Sequence, residues 1–290
     1  MIRVLLTGAG GQVGRCFQDR VPPQWEVLAL TSAELDITHQ EDVRRQVFNF
    51  QPDVIVNAAA YTNVEQAEKN PVQAFAVNAD GVHYLALVAE QVGARLFHLS
   101  TDYVFDGNKR TPYQETDTPN PLNVYGHSKL VGEQMALAYC KKAVVLRTSW
   151  VFSEYGQNFV KTMLRLGREQ NTIHVVDNQW GCPTYAGDVA DIIIQLIQQD
   201  KILNGLYHYC GNQIMTWYEF AQRIFTTGAS IKTPHIIPIS SNQYSTIAAR
   251  PQYSVLSMDL LANYWGSMVP DSTILSLRKV VSLQSGVDIT

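Results

Sequence analysis

Glycine recurs at every third position in Thr7-Gly8-Ala9-Gly10-Gly11-Gln12-Val13-Gly14, between an apolar run, Ile2 to Leu6, and a helical pattern from about Gln12 to Asp19. A turn of this kind, at a first strand-to-helix junction, constrains the chain more than any other feature. Gly8 suits a tight reversal, Gly11 lets the backbone approach a pyrophosphate, and Gly14 lets the helix pack closely on the strand. The start of the helix then offers free N–H groups to an anion. The spacing is GxxGxxG rather than GxGxxG, so the position at the junction carries the expectation as much as the glycines do.

The alternation continues past this junction. Further strands are predicted at Val27 to Leu30, Val54 to Asn57, Leu96 to Ser100 and Val144 to Thr148. Helices are predicted at Glu41 to Phe50, Pro71 to Val92 and Val124 to Tyr139. Short apolar strands alternating with helices give an α/β fold, a doubly wound parallel sheet (Rossmann-like) covered on both faces. After Trp150 the pattern loosens, which points to a smaller C-terminal substrate lobe. The expected division is residues 1–150 as the dinucleotide-binding part, with some later segments returning to it, and residues 151–290 as mainly the substrate lobe. A chain of 290 residues is long enough for both.

The charge balance narrows the function. Lys and Arg number 22 against 26 Asp and Glu, a formal net charge of −4, with no basic run. That argues against nucleic acid or an anionic membrane surface as partner. The N-terminal apolar run is too short for a signal peptide, and no apolar stretch reaches membrane-spanning length, so the cytoplasm is the expected compartment. Cys16, Cys140, Cys182 and Cys210 lack CxxC spacing. They read as buried thiols in a reducing environment. With no HExxH pattern either, no metal site is expected.

The strand Val27-Leu28-Ala29-Leu30 ends in Thr31-Ser32. The acidic residue that reads a ribose 2′-hydroxyl is absent at that point, and so is an arginine to grip a 2′-phosphate. This favours NADPH, with NADH as the alternative. Asp36 is the next acidic residue and meets either the adenine or only its own loop.

The chemistry is expected from Tyr125-Gly126-His127-Ser128-Lys129. Spacing of i, i+4 puts Tyr125 and Lys129 on one helix face. An adjacent ammonium and a cationic nicotinamide both favour the phenolate, so the tyrosine can exchange a proton with a carbonyl oxygen while hydride moves at carbon. The fourth strand ends in Ser100-Thr101-Asp102-Tyr103. A hydroxyl there lies where open α/β sheets bind ligands, and only one of Ser100 and Thr101 can face the cofactor. Asn57-Ala58-Ala59-Ala60-Tyr61 closes the third strand with small side chains that leave room for a cofactor. Asn78, inside a predicted helix, either supports the site or faces solvent.

These segments together resemble the extended short-chain dehydrogenase/reductase family over most of the chain. Ser100-Thr101-Asp102-Tyr103-Val104-Phe105, Arg147-Thr148-Ser149-Trp150, Gly181-Cys182-Pro183-Thr184 and Ala249-Arg250-Pro251 resemble its branch that reduces 4-keto sugars carried on dTDP. The resemblance implies a dTDP-sugar substrate and a monomer or homodimer. It implies that Gly8, Gly11, Gln12, Val13, Gly14, Asp36, Ile37, Ala59, Ala60, Tyr61 and Thr62 surround the dinucleotide, together with Tyr125 and Lys129. Thr101, Tyr125 and Lys129 would form the catalytic group. Thr101, Asp102 and Trp150 would meet the sugar, as would Arg250, for which a structural salt bridge is the competing role. Some members carry an acidic residue just after the third glycine and bind magnesium at a dimer contact; here that position is Arg15. Related dehydratases use an Asp-Glu pair where this chain has Asp102-Tyr103. Two readings compete with reduction: a sugar-nucleotide epimerase or dehydratase, and a non-catalytic dinucleotide-binding regulatory subunit.

Overall fold

The computed structural model describes residues 1–199, 204–227, 232–265 and 271–285. Its centre is a parallel sheet. Strands β1 (Arg3–Thr7), β2 (Glu26–Leu30), β3 (Val54–Asn57), β4 (Arg95–Thr101) and β5 (Ala143–Thr148) join a later strand, Gly205–His208. The spatial order is β2, β1, β3, β4, β5, then Gly205–His208, and every neighbouring pair is parallel. The reversal of strand order lies beside β1, where β2 and β3 flank it.

Alternation within the strands explains why both faces are covered. Val4, Leu6, Val54, Val56, Phe97, Val144 and Leu146 face one way, against helix α1 (Gln12–Gln18) and the Ala186–Gln198 helix. Leu5, Ile55, Leu96 and Val145 face the other way, against helix α2 (Gln40–Phe50) and the Gly81–Val92 and Val124–Tyr139 helices. Strands apolar on both sides have no stable edge toward water, so helices must cover them. Among the described residues, the Ala186–Gln198 helix, the Gly205–His208 strand and the Asp259–Trp265 helix return to this sheet.

The long helix expected at Pro71 to Val92 is present with an irregularity. It runs as Pro71–Phe75, a π-turn at Ala76–Asp80, and Gly81–Val92. A short helix, Val64–Lys69, precedes it, capped by Asn63 accepting from the Gln66 N–H at 3.1 Å. Beyond β5 the strands Val151–Phe152, Trp180–Gly181, Thr184–Tyr185 and Met215–Thr216 have two residues each. A third apolar cluster gathers there around Phe152, Val160, Leu164, Phe220 and Ile224. All four cysteines are buried and unpaired. Among the described residues no helix is long and apolar enough to cross a membrane.

Candidate active site

A cavity of about 900 Å³ opens along the C-terminal ends of the parallel strands. This is where an open α/β sheet leaves a crevice. Its lining runs from Gly8, Gly10, Gly11, Gln12 and Val13, past Asp36, Ile37 and the Ala58–Thr62 segment, to Thr101, Asp102, Tyr125, Lys129 and Trp150. Sequence-expected dinucleotide, catalytic and sugar residues thus share one wall system. Gly14 and Arg250 lie outside the lining.

The glycine turn is built by close approach. Gly8 has φ +69°, and a Cβ there would stand 2.5 Å from the Ala58 and Ala59 backbone. Gly14 presses α1 onto the same turn. Gly11 takes the N-cap position of α1 with no side chain capping it. The turn therefore presents bare backbone to the cavity, the surface that a pyrophosphate needs. Gln12 ties this turn to the region beyond β5: its Oε1 accepts from Ser153 Oγ and Asn158 Nδ2, both at 2.9 Å.

At the end of β2 the structure adds a residue that the sequence reading passed over. Glu34 accepts hydrogen bonds from both the Thr31 N–H and Oγ1, each at 2.8 Å. These bonds hold its carboxyl below the usual range. A carboxylate therefore stands beside Thr31 after all. Asp36 lines the cavity, but its Oδ1 accepts from Thr38 N–H and Oγ1 at 2.9 and 2.8 Å, a turn-capping arrangement.

Ser100 and Thr101 both line the cavity, against the expectation that only one would, and their partners distinguish them. Ser100 Oγ donates to Glu133 at 2.5 Å, inside a buried pair in which Arg147 grips both carboxylate oxygens at 2.8 and 2.6 Å. Thr101 donates to Asp102 Oδ1 at 3.1 Å and lies within hydrogen-bond reach of the Tyr125 phenol, which it eases. Tyr125 is carried on the Val124–Tyr139 helix, whose N-cap Asn123 accepts from the Gly126 N–H at 2.7 Å. Gly126 has to be glycine: a Cβ would fall 2.1 Å from the Tyr103 carbonyl oxygen. Tyr103 and Tyr125 meet edge to face with centroids 5.9 Å apart.

Burial pushes the Tyr125 phenol up to about 12, Thr101 opposing and the Asp102 charge adding to the rise. It pushes Asp102 up to about 7 and Lys129 down to about 8, Glu133 opposing the latter. The expected ammonium-to-phenol contact is replaced: Lys129 Nζ donates to the Leu99 carbonyl at 2.6 Å. With no ammonium against it and the phenol desolvated, the tyrosine stays a weak acid. Asp102 Oδ2 and Thr148 Oγ1 are buried without a hydrogen-bond partner among the described residues. Both residues line the cavity, where a bound ligand can satisfy such atoms. Nothing in the sequence singles out Thr148 beyond its place in Arg147-Thr148-Ser149-Trp150.

Asn78 is fully buried at the π-turn and faces the site, not solvent. Its Oδ1 accepts from the Tyr61 N–H at 2.8 Å, and its Nδ2 donates to Tyr61 O at 3.1 Å and Ser128 Oγ at 2.9 Å. It pins the cavity wall to the tyrosine helix. Trp150 lines the cavity and stacks on Trp217 with centroids 3.4 Å apart and planes at 7°. Arg250, outside the cavity lining, pairs with Glu65 at 2.8 Å and hydrogen-bonds Tyr103.

A parallel doubly wound sheet, a glycine turn at its crevice and a Thr/Tyr/Lys set on the opposite wall define a short-chain dehydrogenase/reductase. The comparisons carry this further. The model of the RmlD substrate binding domain family matches residues 2–273. The dTDP-4-dehydrorhamnose reductase of Aggregatibacter actinomycetemcomitans is 43% identical over 281 residues, 93% of this chain and 96% of that protein. Among solved structures, the dTDP-4-dehydrorhamnose reductase of Bacillus anthracis, in complex with NADP, superposes with a TM-score of 0.91 at 38% identity, covering 96% of this chain and 98% of that one. The Clostridium acetobutylicum ortholog gives 0.92 at 34%, covering 98% and 100%. This chain belongs to the RmlD family of dTDP-4-dehydrorhamnose reductases.

Proposed function

We propose that this chain reduces the C4 keto group of dTDP-4-dehydro-L-rhamnose to dTDP-L-rhamnose in the cytoplasm, with NADPH and more weakly with NADH. The observation that carries the reading is the grouping of Thr101, Tyr125 and Lys129 in one cavity with the glycine turn. When bound, the dinucleotide supplies the hydride. The bare turn from Gly8 to Val13 holds its pyrophosphate, and Ile37 and Ala59 to Thr62 flank it.

Reduction needs a proton donor at the carbonyl oxygen. A phenol raised to about 12 is protonated at neutral pH, the state required before hydride arrives. Tyr125 gives that proton, and Thr101, once the ketone is bound, turns its one O–H from Asp102 Oδ1 to the same oxygen and polarises it. Lys129, held against the Leu99 carbonyl, supports the ribose side of the site. Asp102 and Thr148 offer unpaired polar atoms to ligand hydroxyl and amide groups, and Trp150 covers the apolar face of the 6-deoxy sugar. Elimination of water calls for a second acid beside Asp102, and Tyr103 stands there instead, which favours reduction over dehydration. The intact catalytic set favours an enzyme over a regulatory subunit.

The deciding experiment is a panel of keto-sugar nucleotides followed by loss of NADPH absorbance. Turnover of dTDP-4-dehydro-L-rhamnose well above UDP- and GDP-linked analogues is expected. Dinucleotide binding with no turnover of any member overturns the reading. A monomer or homodimer assembled without metal is expected, and sedimentation with and without chelator checks it.

A further inference from the structure

Behind the cavity wall a row of polar groups runs from the lysine into the sheet. His98, on β4, is 1% exposed and hydrogen-bonds neither the glycine turn nor Tyr125. Its Nδ1 lies 3.0 Å from Asn57 Nδ2, and its Nε2 lies 3.4 Å from Lys129 Nζ. The orientation of the Asn57 amide is fixed by other partners. Asn57 Oδ1 accepts from the Ala59 N–H at 3.1 Å and from Thr7 Oγ1 at 2.7 Å. A flipped amide would set its NH₂ group against the Ala59 N–H, so the nitrogen faces His98. An amide NH₂ only donates, and His98 Nδ1 therefore accepts. Burial, together with the nearby Lys129, keeps the imidazole neutral, its pKa well below the usual value. A neutral ring whose Nδ1 accepts carries its proton on Nε2, and that N–H points at the lysine.

We infer that His98, oriented by Asn57 and Thr7, is a positioning residue for Lys129. It presents Nε2–H to Nζ, a contact that an amine accepts and an ammonium cannot, and so sets how readily the lysine gives up and regains a proton. The inference rests on the reductase reading for its role in turnover.

The surroundings of Lys129 agree. From its own helix, Glu133 favours the ammonium, but that carboxylate is already gripped by Arg147 of β5 and by Ser100 of β4. Tyr125, one turn earlier, is a neutral phenol, and Asp102 beyond it acts on that phenol. From β4 the lysine meets His98 and the Leu99 carbonyl. Asn57 on β3 and Thr7 on β1 carry no charge. His98 is thus the one titratable group from the sheet in direct contact with Nζ among the described residues.

The test reads the tautomer first, with no cofactor or substrate present. In ¹⁵N-histidine-labelled protein at about pH 9, where Lys129 is mainly the amine, the His98 signals, assigned by their loss in His98→Gln, should show Nε2 protonated and Nδ1 bare. Asn57→Asp should reverse this, because a carboxylate accepts from Nδ1–H and leaves the Nε2 lone pair facing the lysine. The second readout is the alkaline limb of kcat/KM set by Lys129, above the one set by Asp102; this profile reports groups of the free enzyme. In both variants that limb should move up by roughly one pH unit, since each replaces the opposing N–H by an acceptor. A wild-type spectrum with Nδ1 protonated, or an imidazolium, overturns the inference. So do alkaline limbs that coincide in the wild type and both variants. A wild type that turns over no keto-sugar nucleotide sinks the reductase reading alone, and the spectra still decide the orientation of His98.

Discussion

A buried phenol and a buried carboxyl sit side by side in this site, and each titrates where its surroundings put it. Tyr125, raised to about 12, holds its proton across the neutral range. Tyr125→Phe should lower kcat by roughly two to four orders of magnitude while NADPH affinity stays within about twofold, the pattern of a lost general acid. Near-normal turnover in the variant would remove tyrosine from that role. Asp102, raised to about 7, ionises as pH climbs through neutrality, and its charge raises Tyr125 further. Ionisation thus makes the donor poorer, so, below the higher alkaline limb of Lys129, kcat/KM for reduction should show a first, partial limb through about pH 7. Asp102→Asn should abolish that limb, and a profile unchanged in shape would show that another group sets it. Glu34, bonded to Thr31 at the end of β2, puts a negative charge near the expected adenosine ribose. Glu34→Gln should lower the KM for NADPH by roughly threefold to tenfold and leave NADH nearly unchanged. Equal effects on both cofactors would place the 2′-phosphate elsewhere.

At the scale of elements, the first half of the fold was legible because buried strands and amphipathic helices impose periods on the sequence. β3 and the Val124–Tyr139 helix fall where the pattern put them, and the other four strands of that half differ by a residue at one or both ends. The π-turn at Ala76–Asp80 was invisible, since it arises from the contact of Asn78 with Tyr61 and Ser128 rather than from any local preference. Two-residue strands after β5 show no periodicity at all; tertiary neighbours alone define them. In the site, Thr101, Tyr125 and Lys129 were readable from strand ends and helical spacing. Glu34, Thr148, His98 and Trp217 were not, because their part depends on what faces them across the sheet or cavity. The seating of the Val124–Tyr139 helix is itself testable. Gly126→Ala would force a methyl to 2.1 Å from the Tyr103 carbonyl. The helix must then retreat and take Tyr125 with it. A cost of about 1–3 kcal/mol in stability and at least a tenfold loss of kcat are expected. An alanine variant with full stability and full kcat would show that the helix has slack.

Across the whole molecule, Trp150 marks where the sheet hands the chain to the C-terminal cluster. It follows β5 by two residues, lines the cavity, and stacks on Trp217, which in turn meets Phe159 and Phe220. Its backbone has φ +46°, left-handed for a residue with a side chain. Such a conformation costs an L-residue about 1–2 kcal/mol, and the packing that holds it aims the indole at the cavity. The two duties make different predictions. As a cavity wall, Trp150→Ala should raise the KM for the sugar nucleotide at least tenfold while NADPH binds normally. As a half-buried stack, it should cost less than the roughly 3–5 kcal/mol of a fully buried tryptophan. The strain adds a signature that packing alone does not give. Glycine adopts positive φ freely, so Trp150→Gly should be more stable than Trp150→Ala by about 1 kcal/mol, the reverse of their order in a helix. Denaturant unfolding of the two variants beside their sugar-nucleotide kinetics checks all three points. A collapse in stability with an unchanged KM would reduce Trp150 to core packing, and an alanine variant more stable than the glycine one would remove the strain.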